Sequence, residues 1–352
     1  MTDILGLTKR ELSDALTGYG EKSYRTKQIF TWLHARGVKS FDEMTDISKS
    51  LRERLSGDYY IGSCSVDTVQ SSASDGTEKY LYRLRDGNLI EGVFMRYREW
   101  NTACISSQVG CAMGCRFCAS TADGCIRNMS SGEMAEEVYA MEERTGAKIS
   151  NVVVMGSGEP LINYDGLMGF IDIITDEDGR NISQRNITVS TCGIVPAIER
   201  LAGERLQINL AISLHAPNDE KRRRMMPIAE RYTIRELMDA AGHYYDATHR
   251  RLTFEYALSE GLNDTDDDAS ELAGLLRGMN AVVNLIPVNP VAESSFNRPG
   301  RAACLSFKNK LENFGINVTI RRELGTDIDG ACGQLRMKAS SGRRYDKDLF
   351  TD

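Results

Sequence analysis

Three thiols fall within eight residues in the run Cys111-Ala112-Met113-Gly114-Cys115-Arg116-Phe117-Cys118. A structural zinc site takes four protein ligands, usually in paired knuckles, and no second Cys-x-x-Cys pair exists elsewhere in the chain. Iron–sulfur clusters are held by cysteine thiolates, and a four-iron cluster given only three keeps one iron open to another ligand. An electron carrier would use four ligands, whereas a cluster that must meet a substrate or cosubstrate needs the open corner. Three buried thiols without metal would place reactive groups on a glycine-containing loop for no packing gain. The nine cysteines stand at 64, 104, 111, 115, 118, 125, 192, 304 and 332. An odd number in a chain with no export-signal pattern argues against a disulfide framework and for a reducing, cytoplasmic setting.

A second element follows one βα unit later. Val152-Val153-Val154-Met155 reads as a buried strand that runs into Gly156-Ser157-Gly158-Glu159-Pro160. There the glycines would let a ligand approach the backbone, and Glu159 offers an anionic acceptor to an ammonium group. A tight turn with a surface carboxylate is the plainer alternative. For His215, a satisfied hydrogen-bonding group after a core strand is the plainer alternative.

The cysteine spacing resembles the signature of the radical S-adenosylmethionine (SAM) superfamily. The resemblance implies that Cys111, Cys115 and Cys118 bind one 4Fe-4S cluster, with SAM chelating the open iron. One electron from the cluster would then cleave SAM to methionine and a 5′-deoxyadenosyl radical. Further segments resemble the RlmN family of dual-specificity RNA methyltransferases within that superfamily. These are Cys104-Ile105-Ser106-Ser107-Gln108-Val109-Gly110, the run 186–191, Ser213-Leu214-His215-Ala216-Pro217, Met226-Pro227, Asn289-Pro290 and the run 327–335. Two stretches, 24–30 and 48–52, resemble that family's accessory domain, so the likeness runs from about residue 5 to 336.

The family resemblance implies methylation of carbon 2 of adenosine, in 23S rRNA at the peptidyl transferase centre and in tRNA at the adenosine 3′ of the anticodon. It implies SAM contacts at Gly158, Glu159, Ser190, Ser213, Leu214, His215 and Asn289, and two SAM molecules per turnover. Carbon 2 of adenine is electrophilic and carries no acidic proton, so simple attack on the SAM methyl group is closed and radical chemistry is required. On the family pattern Cys332 takes the first methyl and carries it to the RNA as a covalent adduct. Cys104 then attacks the Cys332 sulfur, releasing RNA and leaving a Cys104–Cys332 disulfide for cellular thiols to reduce. Glu91 matches the family's proton acceptor; the alternative is a surface strand carboxylate. Cys64, Cys192 and Cys304 match no reactive motif and read as packing residues. Cys125 stands where the family has an aromatic residue, and a fourth ligand there would close the open iron. Implied partners are 23S rRNA, tRNA, a flavodoxin-like one-electron reductant and a thiol reductant, with no membrane; the protein is expected to be a monomer. Two alternatives remain at this point: Cfr-like methylation of carbon 8 of adenosine in 23S rRNA, and a non-enzymatic iron–sulfur or RNA-binding protein. Pro160 after Glu159 is closer to RlmN, because the carbon-8 relative has Ala there.

These groups need a scaffold that brings distant segments together. From about residue 102, short β-branched runs alternate with amphipathic stretches: strands are predicted near 102–106, 151–155, 186–190, 208–213, 251–257, 282–288 and 316–321. Helices are predicted near 131–145, 164–175, 196–202, 233–246, 267–278 and 301–314, the first opened by the capping box of Ser130 and Glu133. Such alternation specifies α/β architecture with a parallel sheet. Too few strands are present for a closed eight-stranded barrel. The expectation is an open partial (β/α)6 barrel with its site at the carboxyl ends of the strands. The chain divides into a helical accessory domain at 1–60, an RNA-binding candidate, and a β-hairpin extension at 61–96 turning at Asp86-Gly87-Asn88. The SAM core follows at 97–330, then a C-terminal cysteine loop and basic tail at 331–352.

With 352 residues, 41% hydrophobic and 26% charged, the composition is that of a globular chain and excludes a disordered or fibrous one. The net charge of −7 does not exclude RNA, because phosphate responds to local charge. Residues 21–55 hold eight Lys/Arg against five Asp/Glu, and 333–352 hold five against three. Lys221-Arg222-Arg223-Arg224 is the densest basic run and reads as a solvated face.

Overall fold

The computed structural model describes residues 1–62, 64–288, 296–328 and 335. Two short strands, β1 (Thr2–Asp3) and β2 (Tyr59–Tyr60), pair in parallel and close the N-terminal unit. Between them lie α1 (Lys9–Gly18), α2 (Tyr24–Phe30) and α3 (Lys49–Asp58). Their apolar faces, with Leu12, Leu16, Ile29, Phe30, Leu33, Leu51 and Leu55, form a core of their own. Burial of this size is what makes short helices stable in water. Thr8 caps α1, with Glu11 completing a capping box.

A ten-stranded sheet dominates the rest. Its antiparallel part is β3 (Ser65–Ser71), β4 (Glu78–Arg83) and β5 (Leu89–Arg96), and β5 pairs antiparallel with β6 (Asn101–Ile105). A small two-stranded sheet, β7 (Gln108–Gly110) with β8 (Cys125–Asn128), stands on the loop after β6. The parallel part continues from β6 through β9 (Asn151–Val154), β10 (Ile187–Thr191), β11 (Asn209–Ser213), β12 (Leu252–Leu258), β13 (Ala281–Pro287) and β14 (Asn317–Ile320). The connecting helices are α4 (Ser131–Thr145), α5 (Tyr164–Thr175), α6 (Val195–Gly203), α7 (Asp219–Met225), α8 (Ile234–Thr248), α9 (Asp266–Leu276) and α10 (Arg301–Asn313). The parallel ladder runs without closure from β6 to β14, which is the open partial barrel expected.

The hairpin predicted between 61 and 96 is part of this sheet rather than an appendage, because Val93 pairs with Cys104 and Phe94 with Ala103. A third strand, β3, was not predicted. Its sequence Ser-Val-Asp-Thr-Val-Gln-Ser is polar and mostly exposed at the sheet edge, so it has no buried face to betray it. Helix α7 was also not predicted; it is seven residues long and mostly charged, and Asn218 caps it by accepting from Lys221 N. No helix among the described residues is long and apolar enough to cross a membrane.

The N-terminal unit sits on the first core helices. His34 Nδ1 meets Tyr139 Oη at 2.9 Å, Lys9 Nζ pairs with Asp176 and Asp178 at 3.1 and 2.6 Å, and Arg180 Nη1 donates to Ala35 O at 2.6 Å. The backbones come closest at Gly132, where a Cβ would lie 2.7 Å from Gly6 N and 3.0 Å from Leu5 C. Gly132→Ala should therefore push the two units apart and cost about 1–3 kcal/mol, as overpacking does. Urea denaturation of the two proteins checks this; equal midpoints would mean that the contact yields without cost.

Candidate active site

The loop that follows β6 is held to its neighbours by a set of short bonds. Ser106 N donates to both carboxylate oxygens of Glu137 on α4, at 3.0 and 3.2 Å, and Ser106 Oγ donates to Glu91 O at 2.8 Å. Ser157 N, after β9, donates to Ser106 Oγ at 2.9 Å, and Gly156 N to Ile105 O at 2.9 Å. Ser157 Oγ then donates to Ser120 Oγ at 3.2 Å, tying in the cysteine loop. The glycines of the 156–160 run answer to this crossing: a Cβ on Gly156 would lie 2.7 Å from Ile105 O, and one on Gly158 2.6 Å from Gln108 Cβ. Sequence reasoning gave those glycines to an approaching ligand; residues of the chain itself also need the space. Gly158 also has φ of +109°, which disfavours any side chain.

The three thiols converge. The β7–β8 ladder pairs Gly110 with Cys125 and so closes the loop 111–124, with Cys111 N donating to Gly124 O at 2.9 Å. Gly110 has φ of +81° and leaves no room for a Cβ against Gly124 O. Cys118 N donates to Cys115 O at 3.0 Å, and Thr121 Oγ1 to Cys118 O at 2.9 Å. Cys111 and Cys115 are buried and Cys118 half-buried. Burial pushes the Cys115 thiol up, and the charges of Cys118 and Cys111 push it further, so all three sulfurs share one neighbourhood. Cys118 is also raised by burial, against backbone donors at Ser120 and Thr121. Among the described residues no three side chains gather tightly enough for a single metal ion. A cubane cluster bound at three different irons spaces its thiolates more widely than one ion does, and an all-sulfur donor set suits iron–sulfur chemistry.

The loops after β9, β10 and β11 face the same place. Glu159 is buried, which raises its carboxyl above the usual range, and its oxygens accept Leu161 N at 3.1 Å and Cys192 N at 2.7 Å. It is not the surface carboxylate of the plainer alternative. Ser190 Oγ and Ser213 Oγ both donate to Glu255 Oε2, at 2.8 and 3.3 Å. Leu214 N and His215 N donate to Glu255 O at 3.0 and 3.1 Å. His215, in the left-handed region with φ of +58°, accepts Ala257 N on Nδ1 at 2.9 Å, and its ring lies edge-on to Phe117 of the cysteine loop with centroids 4.9 Å apart.

Glu91 and Cys104 occupy one face of the sheet. Lys79, Val93 and Cys104 are successive partners across β4, β5 and β6, and Glu91 lies two residues from Val93, on the same side. Glu91 is buried and pairs with the buried Lys79 ammonium at 3.2 Å. The surface-carboxylate alternative is therefore overturned. Leu81 and Leu89, also at this end of the hairpin, are covered by Leu335. Asn289 and Cys332 lie outside the described residues. Sequence reasoning missed four groups here: Lys79, Glu137, Glu255 and Arg222. Glu255 carried a signal, a carboxylate within the otherwise apolar Phe254-Glu255-Tyr256; the others did not. Arg222 departs from the solvated reading of the basic run, because it is fully buried while Arg223 and Arg224 are exposed.

A parallel βα sheet whose first loop gathers three thiols opposite the next three loops defines a radical SAM protein. Residues 105–273 match the Radical SAM superfamily model, and residues 2–61 match that of the Ribosomal RNA large subunit methyltransferase N-terminal domain. The chain is 54% identical over 338 residues to a probable dual-specificity RNA methyltransferase RlmN of Lachnospira eligens, covering 96% of this chain and 97% of that one. A relative of the same name from Alkaliphilus oremlandii is 54% identical over 336 residues, covering 96% and 98%. The crystal structure of a radical SAM methyltransferase from Sphaerobacter thermophilus superposes with a TM-score of 0.90 at 42% identity, covering 95% of this chain and 99% of that one. The chain belongs to the RlmN family of radical SAM RNA methyltransferases.

Burial beside the Arg222 charge lowers the pKa of His215 to about 3, and burial beside Arg180 does the same to His34. Both are depressed below the ordinary value of 6.5. Between pH 6.5 and about 3 the unfolded chain takes up protons that the folded chain refuses, so stability falls as pH falls through that window. His215→Gln should remove its share: on going from pH 7 to pH 5 the substituted protein is expected to lose about 2 kcal/mol less than the parent. Urea denaturation at both pH values measures it, and parallel losses would refute the neutral assignment.

Proposed function

We propose that the chain methylates carbon 2 of adenosine in 23S ribosomal RNA and in transfer RNA, with Cys111, Cys115 and Cys118 holding a 4Fe-4S cluster. The observation that carries this reading is the meeting of the cysteine loop with the loops after β9, β10 and β11 at the carboxyl ends of the strands. The dual-specificity name of the relatives supports carbon 2 over the carbon-8 alternative. When bound, the cluster supplies the single electron that cleaves SAM and starts the radical reaction.

In this reading the chain's own residues bind, orient and move protons. Glu159 receives the SAM ammonium on the lone pairs left after its two backbone bonds. Ser190 and Ser213, oriented by Glu255, and the Leu214–His215 backbone line the rest of the cosubstrate, with Gly158 and Asn289. Phe117 and the His215 ring exclude water beside the thiols. Cys332 carries the methyl group to RNA, and two SAM molecules are consumed per turnover. Cys104 breaks the adduct by attacking the Cys332 sulfur, and Glu91, held by Lys79, accepts a proton on the same sheet face. A cytoplasmic monomer served by a flavodoxin-like reductant and a thiol reductant fits a chain that keeps so many thiols near one site.

Two measurements test this. Anaerobic reconstitution should give a brown protein with about four irons per chain, and loss of any one of Cys111, Cys115 or Cys118 to Ala should abolish the colour while Cys125→Ala keeps it. Cys332→Ala should transfer no methyl to protein or RNA, whereas Cys104→Ala should accumulate a covalent protein–RNA adduct visible as a shifted gel band. Normal turnover of Cys104→Ala with no trapped RNA would sink the cysteine assignments.

A further inference from the structure

Arg222 has no place in the chemistry above, yet it is among the largest fully buried side chains of the protein. Its neighbours Arg223 and Arg224 are exposed. Nε donates to Leu214 O at 3.2 Å, and Nη2 donates to Cys192 O at 2.7 Å and Ser213 O at 3.4 Å. These carbonyls end β11 and follow β10, so one guanidinium clamps two loops of the site. Nη1 is buried with no hydrogen-bond partner among the described residues. A guanidinium taken out of water without an ion-paired carboxylate costs several kcal/mol. Burial lowers the Arg222 pKa, and Cys192, Cys115 and Asp219 are close enough to oppose that shift when ionised.

The helix carrying Arg222 also grips the cysteine loop. Arg116 N donates to Met225 O at 2.9 Å, Met226 N closes the last turn on Arg222 O at 2.8 Å, and Met225 and Met226 pack with Cys115 and Cys192 in one apolar cluster. The cation is therefore fixed against the Cys115 side of the thiol set in a dry setting, where charges act strongly on one another.

We infer that Arg222 is a positioning residue for the proposed cluster: a buried cation beside Cys115 that offsets its negative charge and raises its reduction potential. The inference rests on the cluster reading given above. One electron passes from the external one-electron reductant to the oxidised cluster, which gains one negative charge and loses no ligand. A fixed cation nearby stabilises the reduced form more than the oxidised one, so removing the cation makes reduction harder.

The test uses the full chain, reconstituted anaerobically and titrated with dithionite and mediators while the electron paramagnetic resonance signal of the reduced cluster is followed. Arg222→Gln with full iron content should show a reduced-to-oxidised ratio lower on the order of tenfold at a given potential, which is about 59 mV for a one-electron couple. Arg222→Lys, which keeps the charge, should stay within roughly threefold of the parent. An unshifted potential in fully loaded Arg222→Gln would overturn the inference. Should Arg222→Gln fail to fold or to hold iron, Arg222→Lys decides: a ratio near the parent's supports a charge effect, and a tenfold fall overturns it. A parent protein that binds no iron would instead overturn the cluster reading, and this inference with it.

Discussion

Ser106 is the junction on which the site depends. Its N–H is held by both oxygens of Glu137, its hydroxyl donates to Glu91 O, and the same hydroxyl accepts Ser157 N. One small residue thus fixes helix α4, strand β5 and the loop after β9 at the point where β6 ends. Glu137 is fully buried, and burial holds its carboxyl well above the ordinary range. A buried carboxyl is tolerated only where donors converge on it, so this junction has little freedom to slide. The cysteine loop starts five positions later and inherits its direction from this junction.

The same logic recurs at the ends of the next strands. Glu159 spans from the loop after β9 to Cys192 N after β10, Glu255 spans β10 to β11 through Ser190 and Ser213, and Arg222 clamps the carbonyls that follow both. Parallel strands leave their carboxyl-end loops as the least regular part of the fold, and ligands bind there. Buried polar groups that bridge adjacent loops turn separate loops into one wall. Each bridge is costly if half made, since an orphaned partner keeps its desolvation penalty. Such a wall holds its polar groups in fixed relation to one another, which is what a positioned radical reaction requires.

The alternation of β-branched runs and amphipathic segments made the parallel sheet legible, because strand and helix periods differ and seven parallel strands repeat the signal. The cysteine spacing made the thiol set legible because its chemistry is local in sequence. What escaped was nonlocal or unpatterned. Strand β3 is polar and solvent-facing, α7 is short and charged, and the Lys79–Glu91 pair forms only when β4 and β5 align in register. Arg222 shows the limit most sharply: in sequence it is one of four consecutive basic residues, and only the fold brings the carbonyls of Cys192, Ser213 and Leu214 to its guanidinium. At Gly156 and Gly158 the sequence reveals room for close approach, and the fold adds that residues 105–108 of the chain itself press against that space.

The two buried cations near the site differ in how their charge is met. Lys79 has a carboxylate partner 3.2 Å away, so that pair is neutral as a unit and adds little to the field elsewhere. Arg222 has carbonyl dipoles and, among the described residues, no ion-paired carboxylate, so its charge is less completely offset than that of Lys79. The paired cation lies on the sheet face of Cys104, so it adds little to the stabilisation of a thiolate there, which an unpaired cation would strengthen. On the inference drawn above, Arg222 lies on the Cys115 side of the thiol set, where the charge added on cluster reduction would be met. The separation of these two electrostatic settings follows from which elements carry the two cations, Lys79 on β4 and Arg222 on α7.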